Sequence, residues 1–336
     1  MKKMVLLATA LAMVSGSALA ADMPLKAVKA PPPPAFEPWD IAFGSAIMND
    51  YIFRGVTQSN HKPSVTAYFE PRYNVSKDLQ LYIGTSTESI SFTNRAAAEV
   101  DIYGGIRPTF GAFAFDFGVW GYLYPGGQCT ESFGGPGGAA VCPPGSNFVM
   151  PSFNGMKKNV SFMEVYGKVN YTVNDNWQFG LNEYYSPNFL NSGAWGNYTS
   201  ITGKYTAPST IFGSSGVGMY VSGEFGRQWL GTSDSFYGTN IVSPFGGGPF
   251  PNGVKYADYN TWNIGIGFTY KVFTLDLRYS DTNLSKADCN VFTSDFTAQL
   301  TGAFTPTNPG GASSNWCGAA GIVKLSADLT AMTNLK

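Results

Sequence analysis

The chain has 336 residues, of which 44% are hydrophobic, 15% aromatic and only 13% charged, with a formal net charge of −1. A disordered chain would carry more charge and fewer aromatics, and a nucleic-acid binder would show a basic excess. A single histidine weighs against His-based catalysis and against a His-rich metal site.

Lys2 and Lys3 precede an apolar run over 4–14, which ends in Ser15-Gly16-Ser17-Ala18-Leu19-Ala20. This is the pattern of a secretory signal peptide over 1–20, cut after Ala20. The apolar run is short for an anchor helix, which needs roughly 20 residues. Residues 21–38 form a separate Pro-rich leader, expected in the periplasm. Its Ala30-Pro31-Pro32-Pro33-Pro34-Ala35 run favours an extended polyproline spacer, because proline lacks the N–H that helix and sheet require.

From Trp39 onward apolar residues recur at every second position. Trp262, Ile264, Ile266, Phe268 and Tyr270 share one face; Asn263, Gly265, Gly267 and Thr269 share the other. Such alternation predicts strands with one apolar and one polar face. About twelve segments show it, centred on 39–48, 65–73, 79–87, 97–107, 113–124, 161–171, 177–185, 197–206, 216–227, 260–270, 273–281 and 321–329. Each is near the length a tilted strand needs to cross a bilayer.

A soluble sandwich would bury the apolar faces against each other, whereas a membrane barrel turns them to lipid. The connections favour the barrel, because long and short ones alternate along the chain, as in outer-membrane barrels. The outward aromatics Trp39, Tyr73, Phe113, Tyr171, Trp177, Tyr270 and Phe273 gather near the short turns, where an interfacial girdle belongs. The expected fold is all-β: a transmembrane antiparallel up-and-down barrel of about 12 strands over 39–329, with a tail over 330–336.

Cys129, Cys142, Cys289 and Cys317 lack the close spacings of a zinc site, and four cysteines allow three disulfide connectivities. Secretion favours disulfides over free thiols. The sequence-local pairs Cys129–Cys142 and Cys289–Cys317 each fall inside one long connection and are the preferred reading. The stretches 134–138, 246–248 and 310–311 are glycine-rich and lack the strand–loop–helix context of a phosphate cradle, so they are expected to be flexible loops.

Asp50-Tyr51-Ile52-Phe53-Arg54-Gly55-Val56-Thr57-Gln58-Ser59, with Lys62-Pro63 behind it, resembles the opening signature of the TorF-type porin family of proteobacterial outer-membrane proteins. The resemblance continues through Glu99-Val100-Asp101-Ile102-Tyr103-Gly104-Gly105, Leu123-Tyr124-Pro125-Gly126, Glu164-Val165-Tyr166-Gly167, Tyr184-Tyr185-Ser186-Pro187 and 275–282, so it spans most of the mature chain. It implies an outer-membrane barrel of porin type and leaves the solute open. Such barrels usually end on an aromatic residue. Here Leu329 is followed by seven more residues, so either 322–329 is the terminal strand with a tail or the last strand is shifted.

The inward faces carry Glu70, Arg72, Glu99, Asp101, Arg107, Asp116, Glu164, Lys168, Glu224, Arg227, Asp276 and Arg278. Asp50 and Arg54 continue the inward parity of the first strand and are expected near the mouth. Strict alternation turns Glu183 and Lys204 toward lipid, which points to a place near the rim or beyond a bulge and leaves the register there open. A charged inner wall predicts a narrow channel for passive diffusion of ions or small hydrophilic solutes, with weak cation preference. Structural ion pairs in a plugged barrel are the alternative. No catalytic residues, metal or cofactor are expected, and the partners are outer-membrane lipid, the barrel-assembly machinery and small solutes. The rivals are an outer-membrane enzyme, for which His61 is the single imidazole, and a non-conducting structural or adhesive barrel.

Overall fold

Every segment with period-two alternation is a strand in the structure, a computed structural model that describes residues 37–132, 142, 148–150 and 155–335. The strands are β1 (Trp39–Met48), β2 (Ser64–Ser76), β3 (Leu79–Glu88), β4 (Glu99–Phe110), β5 (Phe113–Leu123), β6 (Phe162–Thr172), β7 (Trp177–Ser186), β8 (Gly196–Thr206), β9 (Gly218–Leu230), β10 (Tyr259–Tyr270), β11 (Phe273–Thr282) and β12 (Ala320–Thr330). Each pairs antiparallel with its successor, and β12 returns to β1 in the register Ala42↔Thr330 to Met48↔Lys324. The sheet is therefore a closed twelve-strand barrel with no free edge. Its last strand keeps continuous register with β11 and β1, so the strand is not shifted; residues Ala331–Asn334 turn into a short helix beneath β1. The expected signal peptide over 1–20, nearly all of the expected leader and the glycines of 134–138 lie outside the described residues.

The barrel is apolar outside and polar within. Ile201, in the middle of β8, is 60% exposed, and Ile83, Ile102, Ile264 and Val323 are exposed on the same outer face. Water would penalise such a band, whereas lipid accepts it. At the short-turn end all seven expected girdle aromatics are exposed. Several form cross-strand pairs: the ring centroids of Trp39 and Tyr73 lie 4.8 Å apart, those of Phe113 and Tyr171 4.7 Å, and those of Trp177 and Tyr205 4.9 Å.

Two side chains differ from the expected facing. Lys204 points inward, with Nζ 4.6 Å from the centroid of Tyr220, because its even parity on β8 is that of the lumen-facing Tyr198 and Ser200. Arg227 points outward, because it shares parity with the exposed Phe225; its Nη1 donates to Asn260 Oδ1 at 3.1 Å. Glu183 does face outward, close to the long-loop end, where it accepts hydrogen bonds from Asn197 and Thr199.

The described parts of the long connections pack against one another. Their apolar side chains pack into one buried cluster above the barrel mouth: Val56, Phe92, Met156, Phe189, Tyr256 and Trp316 come from six different loops. The final long loop adds the helix α1 (Lys286–Thr293), capped by Ser285 Oγ accepting from the Asp288 N–H at 3.1 Å. Both local disulfides form, Cys129–Cys142 and Cys289–Cys317, and the second is buried inside this roof. Within the glycine-rich stretch 246–248, Gly246 faces open space while Gly247 packs closely. Gly247, at φ +90°, lies against Pro306, whose Cβ would stand 2.6 Å from any side chain placed there.

Candidate functional site

The loop between β1 and β2 does not rise over the rim. It folds into the barrel as a hairpin, with Ile52–Phe53 paired antiparallel to Val56–Thr57. Arg54 and Gly55 make the turn with φ of +49° and +77°. Only glycine suits the second position, since a Cβ there would meet Thr261 Oγ1 and Thr282 Cβ at 2.9 Å.

This turn drives Arg54 into the lumen. Its Nη1 donates to Glu164 Oε1 at 2.8 Å and its Nη2 to Glu164 Oε2 at 2.7 Å, a two-point pair with a residue of β6. Nη1 also donates to Gln228 Oε1 on β9 at 3.1 Å. The side chains of Arg54 and Glu164 are 6% and 0% exposed. Rings of Phe53, Tyr184 and Tyr198 lie 4.5, 5.0 and 4.5 Å from the guanidinium, and Tyr122 Oη donates to Glu164 at 3.1 Å. Burial opposes the charge on Arg54, yet Glu164 more than offsets it and raises the pKa of the guanidinium above its ordinary value.

The base of the hairpin is held by Asp50. It accepts from Thr57 Oγ1 at 2.5 Å, from Ser59 Oγ at 3.0 Å and from His61 Nδ1 at 2.7 Å. His61 Nε2 lies 2.8 Å from the carbonyl oxygen of Asn315, in the last long loop. Two acceptors for two ring nitrogens suit the doubly protonated imidazolium. The Asp50 hydrogen bond raises the pKa of His61, burial lowers it, and the Asn315 carbonyl restores it, so the net shift is upward. Burial pushes Asp50 up, but His61 and Thr57 reverse this and hold its carboxyl below its ordinary value. The hairpin also joins the final loop directly, through the Thr57 N–H donating to the Trp316 carbonyl at 2.9 Å.

Below the hairpin the lumen wall carries two charge clusters. In one, Arg72 Nε and Arg107 Nη1 converge on Glu70 Oε1 at 2.6 and 2.8 Å, and Arg107 Nε reaches Asp116 at 3.3 Å. In the other, Arg278 donates to Asp276 at 3.0 Å and to Ser222 at 2.9 Å, while Tyr220 Oη donates to Asp276 at 2.7 Å. Lys168 Nζ lies over Tyr166 at 4.7 Å. A polar cavity of about 320 Å³ under the hairpin is lined by Arg54, Asn182, Tyr198, Glu224, Asn263 and Arg278.

Apart from Arg227, the expected inward residues are thus inside the barrel, but Asp50 and Arg54 occupy an inserted segment instead of the wall at the mouth. Of the wall residues that receive this segment, Glu164 and Glu99 were expected from the sequence and Gln228 was not. Gln228 lay one position past the expected end of its strand, as did Glu88. Tyr51, which donates to Glu99 at 2.7 Å, lies in the loop beyond the strand faces that alternation reveals, whereas Tyr124, which donates to the other oxygen at 2.8 Å, closes the expected segment 113–124 on its inward parity.

Residues 34–134 match the model of a family, Gcw_chp, described as bacterial protein of unknown function. No curated protein matches the chain. Among solved structures, an outer-membrane channel from Pseudomonas putida F1 is 10% identical, with 88% of this chain and 97% of that chain covered and a TM-score of 0.41. LpxR from Salmonella typhimurium is 10% identical over 86% and 99%, at a TM-score of 0.37. OmpT, an outer-membrane protein of Vibrio cholerae, is 11% identical over 88% and 99%, at a TM-score of 0.33. Likeness at this level carries no argument about what the present barrel does.

Proposed function

We propose that the protein is an outer-membrane channel of porin type for passive diffusion of ions or small hydrophilic solutes, narrowed by the hairpin over 49–63. The supporting observation is the lumen itself: a charged, hydrogen-bonded wall below a segment that enters from one loop and is joined to the wall by polar side chains. Such charges are costly to bury unless they line water or pair, and here they do both around the cavity beneath Arg54. The signal sequence and the lipid-facing band support the outer membrane as the location, reached through the barrel-assembly machinery. Acidic side chains slightly outnumber basic ones among the lumen residues, which favours cations. The resemblance to TorF-type porins points the same way. No cofactor or catalytic step belongs to this reading.

Refolded protein in planar bilayers tests the proposal. Discrete current steps are expected, with a reversal potential of cation sign in a salt gradient. Well-inserted barrels that pass no current at any voltage would favour the second reading, a structural or adhesive barrel. The buried apolar roof with its internal disulfide is the observation behind that reading.

A further inference from the structure

Near the mouth, three carboxylates face the lumen together. Glu88 ends β3, Glu99 begins β4 directly opposite it, and Asp101 follows on the same face of β4. Glu88, Glu99 and Asp101 are only 9%, 2% and 3% exposed. One oxygen from each lies within 4.8 Å of the others. Like charges directly across a strand pair repel, and burial in a medium of low dielectric sharpens the repulsion.

Lys324 is the one cation whose charge acts on Glu88, and it does so without an ion-pair contact among the described residues. Among the described residues, no Lys, Arg or His forms an ion pair with any of the three, whereas the lumen carboxylates Glu70, Asp116, Glu164 and Asp276 each meet an arginine and the isolated Glu224 is held by Tyr198 and Asn263. Neutral donors hold part of the cluster in place. Tyr51 and Tyr124 donate to Glu99, Ser86 Oγ to Asp101 Oδ2 at 2.9 Å, and Thr66 Oγ1 to Glu88 Oε1 at 2.9 Å. Among the described residues, the remaining oxygens Glu88 Oε2 and Asp101 Oδ1 are buried without a well-formed hydrogen bond, the indole N–H of Trp120 being the donor that approaches Asp101. A buried oxygen with no donor is costly and asks for a ligand.

We propose that Glu88, Glu99 and Asp101 bind one divalent cation of the calcium class. The donor set is all oxygen, the choice of hard cations rather than zinc or copper. Oxygens within 4.8 Å of one another can share one ion at a Ca–O distance of about 2.4 Å, and Ca²⁺ accepts an irregular shell where Mg²⁺ demands a near-ideal octahedron. Water from the lumen can complete the shell, since Ca²⁺ takes about six to eight oxygens. The site also ties the inserted segment to the wall, because Glu99 is the acceptor for Tyr51, the residue next to Asp50. The inference does not depend on whether the barrel conducts.

The test is isothermal titration of CaCl₂ into the refolded full-length barrel, stripped with a chelator, in an uncharged detergent at neutral pH. One saturable site per chain is expected, with Mg²⁺ binding at least ten-fold more weakly. Glu88→Gln with Asp101→Asn should weaken Ca²⁺ binding at least ten-fold while the protein still shows the heat-modifiable mobility of a folded barrel. Absence of a saturable site in the wild-type protein would overturn the proposal and mark the cluster as proton-sharing acids, and the wild-type measurement stands even if the variant fails to fold. Unchanged affinity in the folded variant would overturn it equally, by placing the calcium elsewhere.

Discussion

Arg54, at the tip of the hairpin inserted from the first long loop, and Glu164, 110 residues further on in β6, form a two-point salt bridge inside the barrel at 2.7 and 2.8 Å. The pair joins a segment that could in principle leave the lumen to a wall that cannot. Both side chains are almost wholly removed from solvent. Breaking a buried pair by removing one partner strands the other charge and costs about 3–5 kcal/mol. Arg54→Ala is therefore expected to lower barrel stability by that order, read as the midpoint of heat-modified migration. Adding Glu164→Gln to it should recover part of the loss, because the stranded carboxylate is gone. A strictly additive double variant would argue against the coupling.

The latch at the hairpin base makes a pH prediction. His61 is raised above its ordinary value of 6.5, so its contribution is complete below that value and is lost as pH rises through the raised one. Asp50 is lowered from 3.8, so its contribution is present above 3.8 and is lost only as pH falls through the depressed value. Between them the hairpin is held most firmly in mildly acidic solution and loosens on the alkaline side. Current through the barrel is expected to rise as pH is taken from about 6 to 9. His61→Gln should flatten that rise, and a profile unchanged by the substitution would show that His61 is not the titrating group.

The two faces of the wall can be separated in the same way. Ile201 and Thr202 are neighbours in β8, one on the exposed outer face and one beside Glu224 on the inner. Ile201→Arg places a charge in the middle of the lipid-facing band and is expected to cost about 2–4 kcal/mol. Thr202→Arg puts the same charge into the polar lumen and should leave stability nearly unchanged while shifting ion selectivity toward anions. Equal destabilisation by the two substitutions would contradict the assigned facing.

The barrel was legible in the sequence because its signals are local. Alternation marks each strand within two or three residues, as with 216–227 expected and Gly218–Leu230 observed, and the alternation of long and short connections orders the ends. Local spacing likewise identified both disulfides. The inserted hairpin was not legible. Asp50 and Arg54 keep the inward parity of β1, so their side was right, but the turn at Gly55 that sends them inward depends on contacts with Thr261 and Thr282, more than 200 residues away. The same holds for the roof, whose core draws single apolar residues such as Val56 and Trp316 from loops that look irregular one at a time. Lys204 and Arg227 were misplaced where parity was carried across a strand without an exposed apolar neighbour to anchor it, and Ile201 and Phe225 supply that anchor in the structure.

The hairpin is the element on which the account of a narrowed channel rests, and replacing it is the most direct test. A variant in which residues 50–62 are exchanged for a short Gly-Ser linker keeps all twelve barrel strands, while removing Arg54 from the lumen and Tyr51 from Glu99. Single-channel recording of this variant beside the wild-type protein is expected to show a unit conductance several-fold larger than that of the wild type, with the cation preference kept by the wall residues Glu70, Asp116, Glu164 and Asp276. Equal conductance in the two proteins, or no current from a folded and inserted variant, would contradict the claim that residues 49–63 constrict a conducting lumen.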